Sequence, residues 1–259
     1  MPKFAANLSM MFTELDFCDR FEAAASCGFK AVEFLWPYAY DKDLLRQILK
    51  ETHLKIALFN TSAGDIDKGE WGHAALPYAQ DKAKDDFLQA LDYAKALECP
   101  TVHIMAGVIL NEDKAEDYRQ VMATNLKIAS KLFEKSGITL TLEALCPKVK
   151  EHYLYKSQYE TLSLVKELNL PNLKVQFDTF HAQNVDGNLS YFLENHIQDI
   201  GHIQVAAVPD RHEPDHGEID NSYIFKLIDN LGYKGYIGCE YKPAGKTLDG
   251  LGWLKPYLE

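Results

Sequence analysis

The chain has 259 residues, 47% of them hydrophobic, enough to bury a full core in one large domain or two small ones. Its 38 acidic residues against 27 basic ones leave a formal net charge of −11, which argues against an affinity built on neutralising nucleic-acid phosphates. The five cysteines are odd in number, widely spaced and free of CxxC pairs, so neither a disulfide framework nor a zinc ribbon is supported. A reducing cytoplasm is the expected location. Residues Met1 to Phe12 carry no apolar core of signal-peptide length, and no later stretch approaches a membrane span, so no membrane partner is expected. Nothing in the sequence specifies an oligomeric state.

Read in order, the chain alternates short apolar runs with segments of helical spacing. Phe4 to Leu8 predicts a strand, and Asp16 to Cys27 predicts a helix, with Phe17, Phe21, Ala24 and Ala25 at helical spacing and a stop at Gly28. The pattern repeats through strand Ala31 to Phe34 and helix Asp41 to Thr52, Lys55 to Asn60 and Lys82 to Leu97, Thr101 to Met105 and Ala115 to Lys135. The second half continues with Thr139 to Glu143 and Ser157 to Leu168, Lys174 to Asp178 and Leu189 to Gln198, Gly201 to Val205 and Ser222 to Leu231, then Tyr236 to Glu240 and a final segment near Leu251. Strict alternation implies parallel strands joined by right-handed crossovers, and eight such units are the size of a closed barrel. A doubly wound sheet is the competitor, but no GxGxxG turn follows a strand and no linker divides the chain. The expected fold is therefore α/β, a single (β/α)₈ TIM barrel spanning residues 1–259. The longest connection, Thr61 to Asp81, contains Glu70 and Trp71 among several glycines, and reads as a lid over a pocket or as a surface excursion packed by Trp71.

A barrel places chemistry at the C-terminal ends of its strands. Here those ends are Asn7, Glu33, Asn60, His103, Glu143, Asp178, Gln204 and Glu240. Buried acids are rare unless paired or bound to a metal, so carboxylates converging on one barrel mouth call for a cation. Glu143, Asp178, Gln204 and Glu240 fall on successive strands and make an all-oxygen set, which suits Mg²⁺ first and Mn²⁺ second rather than zinc. Each has a plainer reading: a buried ion pair for Glu143 and Glu240, a backbone-bonded core amide for Gln204, and a helix cap for Asp178. Arg211, His212 and Lys242 lie on the loops just above, as partners for a substrate carboxylate or as surface ion pairs. His181, three residues beyond Asp178, could polarise a substrate oxygen or bond to backbone.

These residues resemble a known family, the xylose-isomerase-like barrels, and within it the group of hydroxypyruvate isomerase and 2-oxo-tetronate isomerase. The resemblance runs end to end and rests on FAANLSMMF at Phe4 to Phe12, FNTSAGDIDKGEWG at Phe59 to Gly72, VHIMAGV at Val102 to Val108, DTFHAQ at Asp178 to Gln183, PDRHEPDHGEI at Pro209 to Ile219 and GCEYKP at Gly238 to Pro243. It implies metal ligation by Glu143, Asp178, Gln204 and Glu240, with the two glutamates also forming the acid/base pair. It also implies substrate contact by His181 and Arg211. Related ketose epimerases usually have histidine where this chain has Gln204, which tilts the metal toward Mg²⁺.

The activity so implied is isomerisation of a small hydroxy-oxo acid of three or four carbons through an enediolate. Glu240 is expected as the main base and Glu143 as its partner, while Arg211 and Lys242 hold the substrate carboxylate, and Asn7, His103 and Glu70 complete the substrate site. A ketose 3-epimerase would use the same metal and carboxylates without an anion clamp. A multi-zinc nuclease would need more strand-end histidines than His103 alone, and a sugar-acid-binding barrel would keep the metal without the chemistry.

Overall fold

The strands are short because each carries only a few apolar residues before a polar one ends it. A computed structural model describes residues 1–258 of the chain. Nine strands occur among the described residues: β1 (Lys3–Asn7), β2 (Ala31–Glu33), β3 (Lys55–Ile56), β4 (Phe59–Asn60), β5 (Thr101–His103), β6 (Thr139–Glu143), β7 (Leu173–Asp178), β8 (Ile200–Val205) and β9 (Tyr236–Cys239). They are hydrogen-bonded in the order β3-β2-β1-β9-β8-β7-β6-β5-β4, every pair parallel. The predicted third strand, Lys55 to Asn60, is thus delivered as two pieces. Its first piece pairs with β2 and its second with β5, and the backbone carries the ring across the gap, with Leu58 O accepting from Phe34 N at 3.3 Å and Asn60 N donating to Leu35 O at 2.8 Å. The eight expected barrel positions are filled, with a seam at Ala57 and Leu58. This is the TIM barrel fold.

The outer helices follow from apolar stripes and caps. In α2 (Lys42–Thr52), Asp41 accepts from the backbone N–H groups of Asp43 and Leu44, and Leu45 and Leu49 face inward. In α3 (Gln80–Leu97), Ala83, Phe87, Ala90, Ala94 and Leu97 are buried, and in α4 (Ala115–Glu134) Tyr118, Met122, Leu126, Ala129 and Phe133 are. A capping box of Ser157 and Glu160 starts α5 (Gln158–Leu168). The last expected helix is a single turn at Thr247–Gly250 followed by a tight helical segment, Leu251–Tyr257. Trp253 and Tyr257 of that segment pack edge-on against Phe4 at 5.1 and 5.3 Å. No described helix is long and apolar enough to cross a membrane, and all five cysteines are free.

One helix escapes the sequence pattern. Directly after β7 the chain makes α6 (Thr179–Val185), and α7 (Leu189–His196) follows it. Seven residues span about two turns, too few for an apolar period to stand out.

Candidate active site

The cap and the acid turn out to be the same residue. Asp178 ends β7 and its Oδ1 accepts from the backbone N–H of Phe180 at 2.7 Å, starting α6. The other oxygen, Oδ2, is buried and hydrogen-bonded to nothing. It turns toward Glu143, at the end of β6, and Glu240, one residue past β9. Those three carboxylates and the imidazole of His181 each offer an atom within 4.8 Å of the others. Glu143 Oε1 is likewise buried without a hydrogen-bond partner. Orphaned acceptors of this kind, together in a dry site, are costly unless a cation meets them.

The electrostatics follow from that crowding. Burial, then the charges of Glu240 and Asp178, push the Glu143 carboxyl well above its ordinary range. Burial also raises Asp178, against the lowering effect of Arg211. Glu240 is pushed up to about 8, again mainly by burial. Arg211 is the nearest positive group: its Nη2 is 2.6 Å from Glu240 Oε2 and 3.5 Å from Asp178 Oδ2, and its Nε donates to the Glu240 carbonyl at 3.3 Å. Burial works against its charge, but the surrounding carboxylates outweigh that and hold it protonated. Its backbone lies in the left-handed region at φ 58°, where it is pinned by Arg211 N donating to Ala207 O at 2.9 Å and by Lys242 N donating to Arg211 O at 2.8 Å. The guanidinium also lies over the Phe180 ring at 5.0 Å.

His181 sits on the first turn of α6, with Nε2 3.6 Å from Asp178 Oδ2 and 3.9 Å from Glu143 Oε1. The backbone N–H of Cys146 donates to its Nδ1 at 3.1 Å, so Nδ1 is the accepting nitrogen. Burial, then Arg211, depress its pKa well below the usual value, and the neutral ring therefore carries its proton on Nε2. An N–H faces the carboxylates. In this tautomer His181 offers the carboxylates a donor and not a lone pair.

The other expected site residues divide. Gln204 pairs with Asp178 in the β7–β8 register, but its amide is held by buried neighbours, with Oε1 accepting from Gln176 at 2.7 Å and Nε2 donating to Glu33 at 2.8 Å. A carbonyl oxygen has two lone pairs, so one remains. Asn7 is committed to Glu33 and to the backbone of Ser9. His103 comes within 3.7 Å of Glu143 Oε2, and burial pushes its pKa down to about 3. It does not line the cavity.

Two expectations are corrected. Glu70 does not face the pocket: its Oε2 accepts from Asp65 N–H at 2.8 Å and meets His73 Nε2 at 3.1 Å, and Lys82 donates to its Oε1 at 3.3 Å, so it ties down its own loop. The Lys242 side chain is exposed and outside the cavity lining, and only its backbone, through Arg211 and His212, serves the site. The residue beside Glu70 takes the expected place. Trp71 lines the cavity with Trp36, Asn60, Glu143, His181, Arg211 and Glu240. It meets Trp36 edge-on at 6.5 Å and lies under Lys150 Nζ at 4.9 Å. Gly72 makes this possible, because at φ 105° its missing side chain lets it pair with Ala106, where a Cβ would collide with the Met105 backbone.

With fold and cluster in place, comparison with known proteins is decisive on lineage. Residues 21–257 match the model of the xylose isomerase-like TIM barrel family. The chain belongs to that family. It is 52% identical over 257 residues to 2-oxo-tetronate isomerase of Haemophilus influenzae, covering 99% of this chain and 100% of the relative. Hydroxypyruvate isomerase of Escherichia coli K12 is 37% identical over 257 residues, again covering 99% of this chain and 100% of the relative. A crystal structure described as an AP endonuclease, family 2, from Brucella melitensis matches with a TM-score of 0.98 at 42% identity over 100% of both chains. The sequence relatives place the chain among isomerases.

Within this family member, two features lay outside the sequence reading. One is the tautomer of His181, set by a backbone N–H on another strand's loop. The other is the polar set around Glu33, which was visible as a strand-end acid but without its partners.

Proposed function

We propose that the chain is a divalent-metal-dependent isomerase of small hydroxy-oxo acids, interconverting hydroxypyruvate with tartronate semialdehyde or 2-oxo-tetronate with 3-oxo-tetronate. The observation that carries the reading is the pair of orphaned, buried carboxylate oxygens, Glu143 Oε1 and Asp178 Oδ2, both within 4 Å of His181 Nε2 and clustered with Glu240. An all-oxygen donor set fits a hard cation, so Glu143, Asp178, Glu240 and the remaining lone pair of Gln204 Oε1 would hold Mg²⁺, with Mn²⁺ as second choice. When bound, such an ion polarises a carbonyl and offsets charge that develops on the substrate oxygens.

The chain's own residues supply the rest. Glu240 takes the proton from the carbon next to the carbonyl and Glu143 is its partner in returning it to the neighbouring carbon, with an enediolate of the substrate between the two steps. Burial raises the Glu240 carboxyl above its ordinary range and the Arg211 guanidinium works against that rise, so the environment of this group favours proton exchange more than an exposed carboxylate does. Arg211 keeps Glu240 in place through Nη2 and has Nη1 left for the substrate carboxylate. His181 gives its Nε2–H to a substrate oxygen. Trp71 and Trp36 keep water from the carbanion-like intermediate.

The endonuclease description of the Brucella structure does not transfer well to this cluster. Zinc sites draw on histidine and cysteine, whereas the cluster has three carboxylates and a histidine whose proton faces inward, and the net charge is −11. The test uses hydroxypyruvate and 2-oxo-tetronate with Mg²⁺ or Mn²⁺ in deuterium oxide. The expected result is isomerisation with deuterium at the substrate carbon, lost with a chelator; turnover unaffected by thorough chelation would sink the metal reading.

A further inference from the structure

A second polar set crosses the barrel beside the carboxylate cluster. Glu33, fully buried at the end of β2, is its centre. Its Oε1 accepts from Asn7 Nδ2 at 3.0 Å and Gln204 Nε2 at 2.8 Å, and its Oε2 is 2.6 Å from His202 Nε2. Beyond Gln204 the chain of bonds continues, with Gln176 Nε2 donating to Gln204 Oε1 at 2.7 Å and Thr141 Oγ1 donating to Gln176 Oε1 at 2.9 Å.

This chain has a direction. Asn7 cannot reverse its amide, because its Oδ1 already accepts from the Ser9 N–H at 3.1 Å. It must offer Nδ2, and Glu33 Oε1 must accept. An accepting oxygen there requires the nitrogen of Gln204, which turns the Gln204 oxygen the other way, toward Gln176 on β7, two residues before Asp178, the register partner of Gln204. The barrel gives up a side chain to allow this. Gly238 is the β9 partner of Gln204, and a Cβ there would collide with both Glu33 carboxylate oxygens.

We propose that Glu33 is a positioning residue of the metal site, whose Oε1 fixes the Gln204 amide with its oxygen, and not its N–H₂, on the side of the ligand cluster. The proposal rests on the reading that Glu143, Asp178, Gln204 and Glu240 hold a divalent cation. A reversed amide would aim donors at that cation, and partners of this kind typically change metal affinity 10–100-fold.

The readout is Mn²⁺ affinity by calorimetric titration of the purified protein, with melting followed separately. Glu33→Leu, which has no acceptor, is expected to bind Mn²⁺ about 10–100-fold more weakly. Glu33→Gln is expected to stay within about threefold, the scale of one neutral hydrogen bond, because its amide oxygen still accepts from Asn7 and Gln204. Equal losses in both would show that charge and not orientation matters, and would overturn the proposal. A lowered melting temperature with unchanged affinity in Glu33→Leu would overturn it too. Should Glu33→Leu not fold, the closer isostere Glu33→Met, which also lacks a strong acceptor, is measured in its place, with the same loss of about 10–100-fold expected; affinity within about threefold of wild type would count against the proposal. Failure of wild type itself to bind Mn²⁺ at millimolar concentration would remove the metal reading, and this inference with it.

Discussion

The barrel interior holds two polar groups of side chains that differ in one respect. Around Glu33, the donors of Asn7, Gln204, Gln176 and Thr141 each meet an acceptor, and His202 is joined to the same carboxylate. Around Asp178 the accounts stay open: Asp178 Oδ2, Glu143 Oε1 and both His103 nitrogens have no hydrogen-bond partner. Both groups are buried among apolar residues, so burial alone does not tell scaffold from chemistry. Satisfaction does. A closed network holds side chains still, whereas an open one keeps lone pairs for something that arrives later.

Removing a carboxylate of the open group should cost activity first, whereas crowding the closed group should cost stability first, with metal affinity following only where Gln204 is freed to turn. The largest expected effect is on turnover: Glu143→Gln and Glu240→Gln each reduce isomerisation by about 10²–10⁴ or more, measured with deuterium incorporation, while circular dichroism stays native. Full activity in either would remove it from the acid/base pair. Arg211→Ala comes next, because it strips the partner from Glu240 and leaves buried carboxylates facing each other. A loss of about 3–5 kcal/mol in denaturant unfolding is expected, with Mn²⁺ restoring more stability to the variant than to wild type. In the closed group, Gly238→Ala forces a methyl against Glu33 and should cost about 1–3 kcal/mol by the same measurement.

A pH effect separates the Thr61 to Asp81 loop from both groups. The Asp86 hydrogen bond, reinforced by Glu70, raises His73 above its usual 6.5. Its contribution is therefore complete below about 6.5 and is lost as pH rises through the raised value. Glu70 is lowered to about 2, first by the Asp65 N–H and also by His73 and Lys82, so its contribution holds above about 4.5 and fades as pH falls toward 2. Hydrogen-exchange protection across residues 61–79, corrected for the intrinsic pH dependence of exchange, should be highest between those limits, and a flat profile would detach the ion cluster from the order of this loop. The smallest effect belongs to Lys242→Ala: the side chain is exposed, and stability and KM are expected to stay within about 0.5 kcal/mol of wild type.

Much of this was legible in the residues. Alternating apolar runs located the strands, and the polar residue ending each run located Glu143, Asp178 and Glu240, because a barrel must expose its strand ends at one mouth. The split of the third strand was not legible, since Lys55 to Asn60 reads as one apolar run and only the closing of the ring interrupts it. Glu70 misled because an acid in a glycine-rich loop looks available, and its partners, His73 and Lys82, come from the loop's end and the following helix. The orientation of Gln204 was beyond reach as well. It depends on Asn7, Ser9 and Glu33, far away in sequence, and on a glycine that leaves them room.

The double use of Asp178 bears on how such a site can change over generations. One oxygen starts the helix that carries His181, and the other faces the cluster, so a replacement must satisfy both duties in a single step. Acid and helix are inherited as one piece. New substrate preference has far fewer constraints in the segments that only roof the cavity, such as the one bearing Trp71, and divergence of specificity is expected to be written there while the floor stays the same.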